Sequence, residues 1–492
     1  MQPLTRRCCS HIRSGSIQTW RKCSSPHSLQ GLRIPYSLRF TRRNHNATSQ
    51  PQRASVIVIG AGPAGIAVVG NLLETVPHAK ILWVDRSFDG GSIGQLYREL
   101  PSYSPASDYL QYASALATFR NICDASPEPN AITALKELDP EMTCSLNHAA
   151  DMLKLLTNGL IKRVQPIVGN VTHVVRDTWP RKWTVTLELN PQSGPEPVLL
   201  KFQAPMVVYC TGSRPQTMEL PVNVSRLTLP TALAPSRLAK VISPDTPRTV
   251  AVIGDGHSAV LVLRNLFRMA AVSHPGLRIR WFTRTANLRY AEETADGVII
   301  NENTGLTGEA ARFARTMLEG DALDTSDARH YVTRFVFPSS RDEAERDQLE
   351  MEMLREHLEG CDYVIQAIGF TRSRLPEVRA GLAPFRGPVG KPKRLVFNGL
   401  TGSFFPNMWD RNAVVGLFGA GSAFPELEFT TEGWRQPAVS MWKFMNFLKR
   451  MVPQWVVATT KGEFVKDERR VAWEAKGTRE IIHGRKGSWS DM

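Results

Sequence analysis

No two cysteines in this 492-residue chain stand at the C-x-x-C spacing of a redox pair or a metal clip. Three of the seven, Cys8, Cys9 and Cys23, lie near the N-terminus, and Cys123, Cys144, Cys210 and Cys361 are scattered through the rest. Such thiols fit a reducing compartment and small buried hydrophobes, and they argue against a disulfide framework. No His, Cys or carboxylate cluster has metal-ligand spacing, so no metal is expected. Long apolar runs are also missing: nothing approaches the ~20 residues that cross a bilayer. Acidic residues are absent until Glu74.

The acid-free leader, residues 1–53, carries nine Arg and one Lys. These supply ten of the fourteen net positive charges and leave four for the body. The basic balance is therefore local, no aromatic-interleaved basic run follows, and a nucleic-acid groove is not expected. Arg- and Ser-rich and without an apolar core, the leader has the composition of a mitochondrial transit peptide. Import into the matrix is expected, the alternative being a polar tail on a cytoplasmic protein. A fluorescent fusion of residues 1–53 tests this, and a diffuse cytosolic signal would contradict it. The length suits two or three domains with full cores, and 42 % apolar with 22 % charged residues is ordinary globular composition.

What the chain does have is a strand, a glycine turn and a helix, twice. Residues 56–65, VIVIGAGPAG, run from an apolar strand through Gly60, Gly62 and Gly65 into a helical pattern. Gly60 permits the turn, Gly62 admits a pyrophosphate, and Gly65 allows helix and strand to pack closely, with the helix N-terminus facing the phosphates. The next strand ends at Asp85, twenty residues past Gly65, where a carboxylate can hold ribose hydroxyls. Residues 248–259, RTVAVIGDGHSA, repeat the pattern with Gly254, Gly256 and Ala259. There the second strand ends on Arg284, with Arg280 and Arg289 near, and no carboxylate. A guanidinium pairs with a 2′-phosphate that a carboxylate repels, so the first site suits FAD and the second NADPH. The alternative for these arginines is a solvated strand edge. Ser258 is a candidate donor to the second pyrophosphate, and His257 is read as lining the helix start.

The order of motifs resembles the flavoproteins with two dinucleotide-binding domains, over about residues 55–450. Within them the chain looks most like the flavin-dependent monooxygenases that include the N-hydroxylating ornithine and lysine enzymes. Asp362, Gln366, Ala367, Ile368, Gly369 and Phe370 follow the outline of that family's D-x-x-x-[LF]-A-T-G-Y segment, and Asn301-Glu302 stands after the arginine strand as a candidate substrate contact. The general monooxygenase fingerprint F-x-G-x-x-x-H is absent. The resemblance implies an α/β fold of two Rossmann-like domains, the FAD domain interrupted by the NADPH domain. It also implies crossings between domains at Thr211-Gly212, where Cys210 replaces Ala, and at Gly369. Gly419 and Gly421 then stand where related chains place Gly-Asp beside the ribityl chain. The implied activity is reduction of FAD by NADPH and hydroxylation of a small molecule through a flavin hydroperoxide. An NADPH reductase of a quinone or protein acceptor, and a nucleotide-binding protein without catalysis, stay open as alternatives. Disulfide reduction is excluded, because RSFDGGSIGQLY after Asp85 lacks a cysteine pair. Gln95 in that loop is a candidate donor to the flavin edge, or else makes local hydrogen bonds.

The domains expected are the leader at 1–53, a first FAD-binding part at 54–235, a nicotinamide domain at 246–370, a second FAD-binding part at 371–450 and a polar tail at 451–492. Residues 213–246, rich in Pro and Ser, read as a crossing linker. The last helix is expected to use Pro437 in its first turn, to carry Lys449 and Arg450 near its C-terminus, and to turn its N-terminal end toward the flavin. The oligomeric state is not legible.

Overall fold

The computed structural model describes residues 50–177, 182–189, 198–293, 299–300, 304–380, 383–384, 395–406, 413–429, 435–463 and 465. Residues 1–49 of the leader and Asn301-Glu302 lie outside them. Two sheets organise the molecule, each with five parallel strands at its centre; the first is extended by antiparallel strands. In the first, the strand Val56–Ile59 lies between Ile81–Asp85 and Met206–Tyr209, with Gln165–Arg176 and Leu417–Gly419 flanking them in parallel. In the second, Arg248–Ile253 lies between Leu277–Thr283 and Tyr363–Gln366, flanked by Val332–Val336 and Ser225–Leu227, again all parallel. Both central strands are buried on both faces, which is why they read as continuous Val/Ile/Ala runs.

The two sheets share their register as well as their order. Val58 pairs with Trp83 and Val208 in the first, and Val252 pairs with Trp281 and Ile365 in the second. The Gly60 N–H donates to the Val84 carbonyl at 2.8 Å, and the Gly254 N–H to Phe282 at 2.9 Å. Helices Pro63–Thr75 and His257–Val272 leave the two turns and bury nearly every apolar residue against their sheets.

The chain passes between the sheets along two adjacent segments. Ser213–Pro215 pairs antiparallel with Phe370–Arg372, and the N–H of Gln216 donates to the Gly369 carbonyl at 2.9 Å. The segment after Asp85, which forms the short helix Gly91–Leu96 where a loop was expected, is also tied to the second domain: the Ser236 N–H donates to Glu99 at 2.9 Å, and Arg237 Nη2 to the Leu96 carbonyl at 2.7 Å.

Three other expectations differ from the structure. Residues 213–246 do more than cross. Ser225–Leu227 joins the second sheet and Leu229–Leu233 and Pro235–Val241 are helical, because apolar Leu229, Leu233 and Leu238 bury against that domain despite the prolines. Pro437 lies in the hairpin strand Arg435–Ala438, and the last helix begins at Met441, where the Ser440 hydroxyl accepts from the Lys443 N–H. That helix runs to Lys461 through Pro453, so a boundary at 450 cuts it and Lys449 and Arg450 sit mid-helix. Interior proline costs about 3 kcal/mol. Here Pro453 faces solvent while Met451, Val452 and Trp455 bury on the opposite side and hold the helix together. Among the described residues no helix is long and apolar enough to cross a membrane.

Candidate nucleotide-binding sites

Each glycine turn sits at the C-terminal edge of its sheet, and its glycines divide by what a side chain would meet. Gly60 and Gly254 have φ of +109° and +128°, and a Cβ there would lie 2.2 Å from the Cys210 carbonyl oxygen and 2.3 Å from that of Ala367. Backbone shape and neighbouring strands therefore require glycine at both. A Cβ on Gly65 would fall 1.9 Å from the Gly60 oxygen, which fixes the close crossing of helix over strand. Gly62 and Gly256 differ. Their φ,ψ values, −80°, −174° and −83°, −177°, are open to any residue. A Cβ would meet only Gly91 Cα at 3.8 Å from Gly62, and nothing within 4 Å from Gly256. Neither conformation nor packing calls for glycine at these two positions. What they provide is a bare helix start, with no side chain capping the N–H groups, as a phosphate cradle requires.

Asp85 stands beside the first cradle, but as a brace. Its Oδ2 accepts from the Ala61 N–H at 2.7 Å, and Oδ1 accepts from Ser87 and Phe88, both at 2.9 Å. A carboxylate has about four acceptor positions, so one is left for a ribose hydroxyl. Thr211 brings to the same sheet end a buried hydroxyl that has no partner among the described residues. Gly212 has φ +68°, and the N–H of Ser373 donates to its carbonyl at 3.1 Å. Gly421 presses on the first motif helix, where an added Cβ would come within 2.7 Å of Ala64, and a Cβ on Gly419 would meet the Phe424 ring at 2.7 Å and the Phe404 ring at 3.1 Å. Gly60, Gly62, Gly65, Asp85, Thr211, Gly212, Gly419 and Gly421 thus gather at one sheet edge. Gln95 is exposed, with its amide on the Ser87 hydroxyl, a local bond. Cys210 is level with Ala367 in the repeat, and burial pushes its thiol far up, leaving it inert at neutral pH.

At the second site the shared register corrects one position. Thr283, and not Arg284, is level with Asp85, and Arg284 follows one residue beyond the strand. Its guanidinium is held side-on by Glu350, with Nε to Oε1 at 2.8 Å and Nη2 to Oε2 at 2.9 Å. Arg280 is turned away, donating to the carbonyls of His357 and Glu359 at 2.7 and 2.9 Å, where it caps a helix end. Ser258 lies half-buried in the first helical turn, and Gly369, with φ +107°, makes the return crossing. Asp362 anchors the sheet's other end, accepting from Arg248 Nη1 at 2.6 Å and Thr249 N–H at 2.8 Å.

Two groups went unnoticed in the sequence. Trp83 and Trp281 are fully buried and donate their indole N–H to the carbonyls of Gly60 at 2.9 Å and Gly254 at 2.8 Å. The signal was present as a tryptophan in the second strand of each repeat. Arg334 was also missed: it lies over the Trp281 ring at 4.3 Å and donates to the Thr285 and Ala286 carbonyls at 2.8 and 2.9 Å, fixing the loop that bears Arg284.

Two sheets with parallel centres, joined by paired crossings and each ending in a glycine turn and a bare helix start, define an FAD/NAD(P)H-type oxidoreductase architecture with two Rossmann-like domains. Monooxygenase AgnR1 of Paecilomyces divaricatus is 40 % identical over 415 residues, covering 83 % of this chain and 100 % of that one, and the chain belongs to its monooxygenase family. No family model matches. The fold is similar to that of the FAD-bound cadaverine monooxygenase DfoA of Erwinia amylovora, with TM-score 0.51 and 13 % identity over 90 % of this chain and 100 % of the other. It is also similar to the ornithine N-hydroxylase KtzI of Kutzneria sp. 744, with TM-score 0.51 and 13 % identity over 84 % and 100 %.

Proposed function

We propose that the protein is an FAD-dependent monooxygenase, reduced by NADPH, that places one oxygen atom on a small molecule. The observation that carries this reading is the duplicated bare helix start, at Gly62 and Gly256, on two sheets of common register. Bound FAD, once reduced by NADPH, supplies the electrons and the oxygen-activating ring. The residues of this chain bind and orient.

At the first site the helix N–H groups beyond Gly62 take the pyrophosphate, the spare acceptor of Asp85 takes a ribose hydroxyl, and the Thr211 hydroxyl is placed to bond the cofactor. At the second, the helix beyond Gly256 takes the pyrophosphate and Arg284 the 2′-phosphate. Between the domains, Tyr103 spans the junction: its hydroxyl donates to the Val439 carbonyl at 3.0 Å, and its ring lies 6.5 Å from that of His257. The helix Met441–Lys461 starts just beyond Val439, and its N-terminal end would stabilise negative charge developing there.

Oxygen uptake by the purified protein with NADPH, compared with anaerobic turnover of a soluble quinone, tests the reading. Oxygen uptake coupled to a hydroxylated product is expected. Rapid anaerobic quinone turnover with no oxygenated product would establish the reductase alternative in its place.

A further inference from the structure

Arg284 is exposed over 63 % of its side chain, yet its partner Glu350 is buried to 5 %. Glu350 lies on the helix Glu343–Leu358, which is otherwise a solvated, charge-dense element, and it is the acid that this helix turns inward. A buried carboxylate is costly unless it is paired and hydrogen-bonded. Both of its oxygens are met by Arg284 alone among the described residues. The pairing uses Nε and Nη2, the side edge of the guanidinium, and leaves Nη1 without a partner among the described residues. The backbone beneath is also fixed: Arg334 holds the Thr285 and Ala286 carbonyls, and the Thr285 hydroxyl donates to Asp255 in the second glycine turn at 3.0 Å. An arginine presented from a fixed loop and clamped along one edge has little rotamer freedom left to lose when its other edge meets an anion.

We propose that Glu350 is the positioning residue for coenzyme selectivity, holding Arg284 so that its Nη1 edge faces the 2′-phosphate of the nicotinamide dinucleotide. The proposal rests on the reading of the second site as the NADPH site. Glu350 does not touch the coenzyme. It converts a mobile surface cation into an oriented one.

Dissociation constants for NADP⁺ and NAD⁺, measured by calorimetry on the FAD-loaded protein, test this in the wild type, Glu350→Gln, Arg284→Ala and Arg284→Lys. Glu350→Gln is expected to weaken NADP⁺ about tenfold and to leave NAD⁺ within about twofold. Arg284→Lys, which keeps the charge on an exposed side chain but loses the fork, is expected to approach Arg284→Ala. Combined with Arg284→Ala, Glu350→Gln should add nothing further for NADP⁺. Unchanged or tighter NADP⁺ binding in Glu350→Gln, or wild-type binding in Arg284→Lys, would overturn the positioning role. If Arg284→Ala weakens both coenzymes equally, the 2′-phosphate reading itself fails. Should Glu350→Gln not fold, the lysine variant decides alone.

Discussion

Glycine at four positions does two different jobs, and separating them required the structure. Gly60 and Gly254 are dictated by the chain itself, through positive φ and a strand carbonyl at about van der Waals overlap. Gly62 and Gly256 are dictated by nothing in the protein. The sequence motif was legible at all four, but the residue level with Asp85 is Thr283 and Arg284 lies one step beyond it, because the last ladder pair of a strand is decided by tertiary register. His257 shows a second residue-scale effect. Burial, and next the Arg264 guanidinium, push its pKa down from 6.5 to about 4. The imidazole is therefore neutral at pH 7, in keeping with a helix start that disfavours added positive charge. The unfolded chain binds this proton more readily than the folded one, so its contribution is complete above about pH 6.5 and is lost as pH falls through 4. Chemical denaturation of His257→Gln across pH 4 to 7 should show a shallower acid slope, by at most ~1.4 kcal/mol per pH unit. An identical slope would mean the histidine titrates freely.

At the scale of elements, the strands and helices of the two glycine motifs were legible because buried parallel strands are continuous apolar runs and the helices are periodic. The exceptions share a cause. Ser225–Leu227 and the segment around Pro453 are held by what they pack on, and local composition argued the other way. The repeated tryptophans belong here too, since each ties a second strand to the turn of the first. Trp83→Phe and Trp281→Phe keep a smaller aromatic ring but orphan a glycine carbonyl, the lost bond costing roughly 1–3 kcal/mol. Trp83→Phe is expected to lose flavin more readily on dilution with NADP⁺ affinity unchanged, and Trp281→Phe the reverse. Flavin release and coenzyme titration on both variants would show it, and equal effects of each on both ligands would sever the link between indole and cradle.

For the whole molecule, the two sites are joined by the paired crossings at 213–215 and 370–372 and by the Glu99–Ser236 and Arg237–Leu96 contacts, which hold the domains as partners in one reaction. The order of the two motifs, and so the architecture, could be read from the chain; the interdomain contacts could not, because they pair residues 137 and 141 positions apart with no periodic signature. Gly62 and Gly256 offer the sharpest probe, since aspartate at either has an allowed backbone, open space and good helix-capping chemistry, so folding is expected to survive. Visible absorption of the two purified variants, before and after anaerobic NADPH, is the measurement. Gly62→Asp should be folded and colourless. Gly256→Asp should be yellow and remain yellow when NADPH is added, while the wild type bleaches. A yellow Gly62→Asp, or a Gly256→Asp that bleaches as fast as the wild type, would contradict the assignment of one cradle to each nucleotide.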